Sequence, residues 1–156
     1  GVTFFQPSEE NAESAMYTKE YLLSQIKVAL GGRAAEEIIY GKDRVTTGAS
    51  GDYAMVYQIV REMVTTYGLG KHKFDYRNMS SESAALVDDE IDEIVHDCYD
   101  DTLRMLKTSM YELERLKEKL LEEEIVDGDW VYELVGREKC DEISCSVSFD
   151  WNEYKN

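Results

Sequence analysis

A chain of 156 residues with 43% hydrophobic side chains has enough apolar material for one domain core and too little length for two. Its net charge of −16 excludes a nucleic-acid ligand, whose phosphates such a surface repels, and keeps it away from anionic membrane faces. A single proline and ten glycines leave long stretches free of helix breakers, which predicts a mainly α protein.

No run approaches the roughly eighteen apolar residues of a membrane span, and nothing resembles a signal peptide. This speaks for the fragment alone, since an anchor could lie upstream. Three cysteines, Cys98, Cys140 and Cys145, are too few and too widely spaced for a disulfide framework and suit a reducing compartment. Zinc held by Cys140 and Cys145 would need two further ligands, and no histidine follows them.

In chain order, Gly1 to Phe5 (GVTFF) reads as a short β-strand that Pro7 ends, and residues 8–16 read as a polar loop. Thr18 is an N-cap candidate for a first helix, in which Leu22, Ile26, Leu30, Ala34 and Ile38 draw one apolar stripe up to a stop at Gly41. Gly31 and Gly32 inside it cost about 1 kcal/mol each relative to alanine, a cost that suggests close packing by another backbone. A second helix starts between Thr47 and Asp52. Val56, Ile59, Val60, Met63, Val64 and Tyr67 line it, and Gly68 closes it.

After a polar loop over 70–79, Ser80 or Ser81 opens a stretch without Gly or Pro as far as Gly128. Val87, Ile91, Ile94, Cys98, Met105, Leu106, Met110, Leu113, Leu116 and Leu120 keep helical spacing along it. So long a helix is unusual, and a break near Thr108–Ser109 into two paired helices is expected. From Ser81 to Asp127 there are 16 acidic residues against 5 basic, net −11, read as a solvated face. Asp127 caps a last short helix holding Val131, Leu134 and Val135. In the tail Ile143, Cys145, Val147, Phe149 and Trp151 alternate with small or polar residues, the period of a strand.

The residues themselves offer few candidates for chemistry. Gly48-Ala49-Ser50-Gly51 lacks the lysine and spacing of a P-loop. His72 falls in a loop and His96 on an acidic helix, both positions typical of surface histidines, and His-Glu-x-x-His occurs nowhere. Asp52 stands out because it lies in a helical first turn after Thr46-Thr47-Gly48-Ala49-Ser50-Gly51. Stabilisation of its charge by the helix dipole explains that place without any function.

Two blocks change the reading: Leu30 to Gly41 (LGGRAAEEIIYG) and Val45 to Asp52 (VTTGASGD). In order and spacing they closely resemble the FtsH family of ATP-dependent zinc metalloproteases, peptidase family M41. Tyr17 to Ser24, Met63 to Gly68, Asp88 to Tyr99 and Leu120 to Leu134 also resemble it. The likeness spans residues 1–136, as the C-terminal part of the peptidase domain. Residues 137–156 are a tail of unknown role with a strand-like pattern.

The resemblance implies a helical bundle with a short N-terminal edge strand. It implies a membrane-anchored hexamer, homo- or hetero-oligomeric, in which an ATPase using ATP and Mg feeds unfolded or membrane-extracted polypeptides to a zinc protease. Asp52 corresponds to the aspartate that is the third zinc ligand beside two histidines of HExxH. Glu36 corresponds to the glutamate that supports a zinc-binding histidine, and Gly1, Val2, Thr3, Phe4 and Phe5 to the strand that receives substrate. The membrane is bacterial inner, mitochondrial or chloroplast.

The departure matters equally. This sequence carries no HExxH, so no catalytic residue is assigned in it, and the fragment alone is expected to be inactive and soluble. The alternative is a non-catalytic relative kept as an assembly module. For the tail, a strand over 142–151 is expected; pairing with Gly1 to Phe5, within one chain or between chains, is one placement for it, and a free tail or one packed elsewhere on the helices is the other.

Overall fold

The computed structural model describes residues 17–73 and 79–136, and five helices dominate them. The strand expected over Gly1–Phe5, the 8–16 loop and the strand expected in the tail lie outside the described residues, as does any pairing between them. The chain divides into two compact units. One is Tyr17–Met110, and the other holds, among the described residues, 111–136.

The first unit is built from α1 (Lys19–Tyr40), α2 (Ser50–Thr65) and α3 (Ser81–Thr108), each packed on the other two. Capping chemistry sets their ends. Thr18 accepts the Tyr21 N–H at 3.1 Å to start α1, and Gly41 ends it at φ 85°, a conformation costly for any residue with a Cβ. Two 3₁₀ turns, Lys42–Arg44 and Thr47–Ala49, lead into α2. Beyond α2, Gly68 at φ 62° turns the chain, and Ser80 caps α3 by accepting the Ser83 N–H.

The expected stripes meet in one core. Ile26 and Leu30 of α1 and Val56, Val60 and Met63 of α2 are fully buried, with Val87, Ile91 and Cys98 of α3 closing over them. Each such side chain contributes about 1.5–3 kcal/mol by leaving water. Burial raises the Cys98 thiol to about 11, so it sits there as a small apolar group.

Four details differ from the sequence reading. Ile38 is only half-buried and Tyr67 is exposed, because the core ends one turn before each. Along α3 the buried stripe stops at Thr102, and Met105 is exposed. Glu90, read as part of the solvated acidic face, is buried. Finally, a Cβ at Gly31 or Gly32 would meet nothing within 4 Å, so among the described residues no backbone packs there.

The break at Thr108–Ser109 falls where expected. The Thr108 hydroxyl donates to the Met105 carbonyl at 2.8 Å and Ser109 leaves the helical region at ψ 35°. Such local bonds compete with helix continuation. The helices that follow are α4 (Met110–Glu123) and α5 (Gly128–Leu134), with Asp127 capping the latter through the Asp129 N–H. Lys119 of α4 lies 5.7 Å from the ring centre of Trp130 in α5, a cation–π contact.

Candidate functional site

The last three turns of α1 present Arg33, Glu36 and Glu37 on adjoining faces, since residues three and four apart are neighbours on a helix. Arg33 and Glu36 both turn to one residue of the next segment, Thr46. The Thr46 N–H donates to Glu36 Oε2 at 3.0 Å, and its hydroxyl donates to Glu36 Oε1 at 3.1 Å. The Arg33 guanidinium donates to the Thr46 carbonyl at 3.0 Å and stands 6.0 Å from the ring centre of Tyr53. Thr46 Oγ1 in turn accepts the Gly48 N–H at 3.2 Å, which caps the Thr47–Ala49 turn. Gly48 suits this crowded place, because a Cβ there would come within 3.2 Å of the same hydroxyl.

Glu37 is tied in another direction. It accepts the Tyr99 hydroxyl of α3 at 2.7 Å. Burial, and then the bond to the Glu37 carboxylate, push the Tyr99 phenol well above its ordinary range, so it stays a neutral donor. α1 is thus joined on one side to the α2 lead-in and on the other to α3.

Asp52 sits in the first turn of α2, six residues after Thr46. Its side chain is exposed, and among the described residues it has no hydrogen-bond or ion-pair partner. A free carboxylate of this kind is chemically suited to supply one oxygen ligand to zinc. One ligand is not a site, however. Among the described residues no three His, Cys, Asp or Glu side chains gather closely enough to hold a metal ion.

The two histidines are engaged elsewhere. His72 Nδ1 lies 3.3 Å from Glu90 Oε2, and His96 Nε2 lies 3.4 Å from Asp100 on the exposed side of α3. Gly1 to Phe5 are outside the described residues. Sequence reasoning singled out Glu36 and Asp52 but missed Arg33 and Thr46. The signal available for them was weak: Arg33 precedes Glu36 by one turn, and Thr46 is a small hydroxyl residue ahead of a glycine.

Residues 1–134 match the family model described as Peptidase family M41. The chain belongs to this family. It is 38% identical to the chloroplastic ATP-dependent zinc metalloprotease FTSH 1 of Oryza sativa subsp. japonica, with 83% of this chain and 21% of the relative covered. It is 39% identical to the ATP-dependent zinc metalloprotease FtsH 3 of Synechocystis, where the shares are 83% and 24%. A third M41 relative, the chloroplastic FTSH 5 of Arabidopsis thaliana, is 40% identical over 83% of this chain and 21% of its own. The chain therefore spans about a fifth to a quarter of the length of these M41 relatives. No helix among the described residues is long and apolar enough to cross a membrane.

Proposed function

We propose that this chain forms the helical part of the peptidase domain of an FtsH-type ATP-dependent zinc metalloendopeptidase. Asp52 is the third zinc ligand, joined by two histidines of an HExxH helix that lies outside this sequence. The observation that carries this reading is the exposed, unpartnered carboxylate of Asp52 at the start of a helix whose approach is tied down by bonds from α1. Zinc, when bound, acts as a Lewis acid toward a peptide carbonyl and the water that attacks it. This chain's own part is to hold one ligand in place and, through Glu36, to support one of the zinc-binding histidines. Gly1 to Phe5 provide the strand on which an unfolded polypeptide is laid.

The same reading extends to the intact protein. It is a membrane-anchored hexamer, of bacterial or organellar type, that draws ATP and Mg through an ATPase domain and degrades unfolded or membrane proteins. The single ligand present makes the fragment alone inactive. A non-catalytic assembly module is the rival reading.

The test joins the HExxH segment of a relative to this chain and compares it with the Asp52→Asn variant. Metal analysis should find one zinc per chain in the first and a large loss in the second, with casein hydrolysis following the metal. The 156-residue chain alone should bind no zinc below micromolar concentrations and cleave nothing. Equal zinc content and turnover in Asp52→Asn would remove Asp52 from the ligand set.

A further inference from the structure

We propose that Arg33, Glu36 and Thr46 form a clasp that positions Asp52, with Thr46 as its centre. The proposal rests on the reading of Asp52 as a zinc ligand and adds three positioning residues to it.

The case begins with what α2 lacks. Its N-cap position is Ala49, which has no side-chain acceptor for the free N–H groups of the first turn. A helix that starts without a side-chain cap is prone to fray at that end, and Asp52 lies within that first turn. Some other feature must hold the start of α2 if Asp52 is to keep one position. The Thr47–Ala49 turn runs directly into the helix, with the Ser50 N–H donating back to the Thr47 carbonyl. Whatever fixes that turn therefore fixes the first turn of α2.

Thr46 fixes it from three sides. Its N–H and its hydroxyl proton go to Glu36, its carbonyl receives Arg33, and its hydroxyl oxygen receives Gly48. Every hydrogen-bonding group of the residue is used, and two of the three partners belong to α1. That helix is anchored in turn by the buried Leu30 and Ala34 and by the Glu37–Tyr99 bond. The chain of bonds runs from the rigid core through α1 to Thr46, then to Gly48 and the first turn of α2. A metal ligand needs its supporting shell held to within about half an ångström, which a frayed turn does not provide.

Arg33 adds a second link. Besides meeting Thr46 it stands over Tyr53, the residue after Asp52, so it touches the segment both before and after the 3₁₀ turn. Charge and hydrogen bonding are matched throughout the clasp. The Glu36 carboxylate takes donors only, and the Arg33 guanidinium meets a carbonyl and a ring face.

Thr46→Val tests the clasp, because it keeps shape and backbone groups but removes the hydroxyl, and Thr46→Ser restores the hydroxyl. In the 156-residue chain, exchange of the Gly48 amide should quicken about tenfold in Thr46→Val and return to the parental rate in Thr46→Ser. In the chain carrying its HExxH helix, Thr46→Val should weaken zinc retention against a chelator by about 10–100-fold, and Thr46→Ser should restore it. Arg33→Met, which loses both the link to the Thr46 carbonyl and the charge over Tyr53, should act in the same direction on both readouts.

Faster Gly48 exchange with unchanged zinc retention would overturn the proposal, leaving the clasp a local brace only. So would an unchanged Gly48 amide, or failure of Thr46→Ser to restore it. Asp52→Asn distinguishes this failure from failure of the ligand reading. If Asp52→Asn keeps its zinc, the ligand reading falls. If Asp52→Asn loses zinc while Thr46→Val keeps it, the clasp alone falls.

Discussion

Glu90 is only 3% exposed, an expensive place for a carboxylate, and the chain meets that expense locally. Burial alone would raise its pKa. The bonds from the Lys71 N–H and from His72 outweigh burial and hold the carboxyl below its ordinary value. Lys71 also pairs through its ammonium group with Glu93, so the 70–73 loop is pinned to α3 at two carboxylates. Gly70 belongs to this arrangement, because a Cβ there would come within 2.5 Å of the Glu90 carboxylate. The sign of the linkage follows from the lowered folded-state pKa. The stabilisation is complete above the unfolded value near 4.5 and fades as pH falls through the lower folded value. Glu90→Gln should therefore cost about 1–3 kcal/mol at pH 7. In urea unfolding, its gap from the parent should narrow below a pH of about 4. A gap constant from pH 7 to pH 3 would show that the charge of Glu90 contributes nothing. None of this was legible in the sequence, where Glu90 stands among Asp88, Asp89, Asp92 and Glu93 and reads as one more surface acid. Its burial comes from a loop folding over α3 from 19 residues away, and helical periodicity carries no record of that. Asp52 and Glu36 were legible because they lie inside contiguous blocks, whereas the Arg33–Thr46 bond crosses 13 residues and depends on the turn between them.

Among the elements, the ends were easier to read than the faces. Thr18, Ser80 and Asp127 cap through short side-chain bonds to residues two or three ahead, and Gly41 stops α1 through its own backbone freedom. Such signals are local, so a sequence holds them entire. The break at Thr108–Ser109 is local in the same way. The faces of α1 are a different matter, since what covers a face is a tertiary fact. Gly31 and Gly32 suggested a close neighbour, yet among the described residues a Cβ at either would stand in open space. Both have ordinary helical backbones, unlike Gly41 at φ 85°. Gly31→Ala and Gly32→Ala should then each stabilise the 156-residue chain by about 0.5–1 kcal/mol, through the smaller entropy loss of alanine on folding. Thermal unfolding of the two single variants measures this directly. A fall in melting temperature would show that another part of the protein lies against that face of α1.

At the scale of the whole molecule, charge is the dominant unbalanced quantity. The net charge is −16, and much of the excess lies between Ser81 and Asp127, where 16 acids face 5 bases. The ion pairs among the described residues relieve little of this. Arg61–Asp88 at 3.2 Å and Arg115–Glu118 at 2.8 Å join well-exposed partners, and such pairs contribute about 0–1 kcal/mol each. Lys27–Asp101 at 2.8 Å is more enclosed and less easily screened. Like charges held close in folded units repel one another more than they do along an unfolded chain, so the excess destabilises the fold. Salt shortens the reach of that repulsion from about 30 Å at 0.01 M to about 8 Å at 0.15 M. It weakens the exposed ion pairs as well, but these are individually small. The repulsive part should win. Raising sodium chloride from about 10 mM to about 150 mM should then increase stability by about 1 kcal/mol, seen as a melting temperature higher by about 2–4 °C. Chloride is the salt to use, because sulfate strengthens apolar burial by exclusion and would give a rise for a different reason. A fall in melting temperature over that range would mean that the ion pairs outweigh the repulsion. The acidic excess would then be a paired surface and not a source of strain.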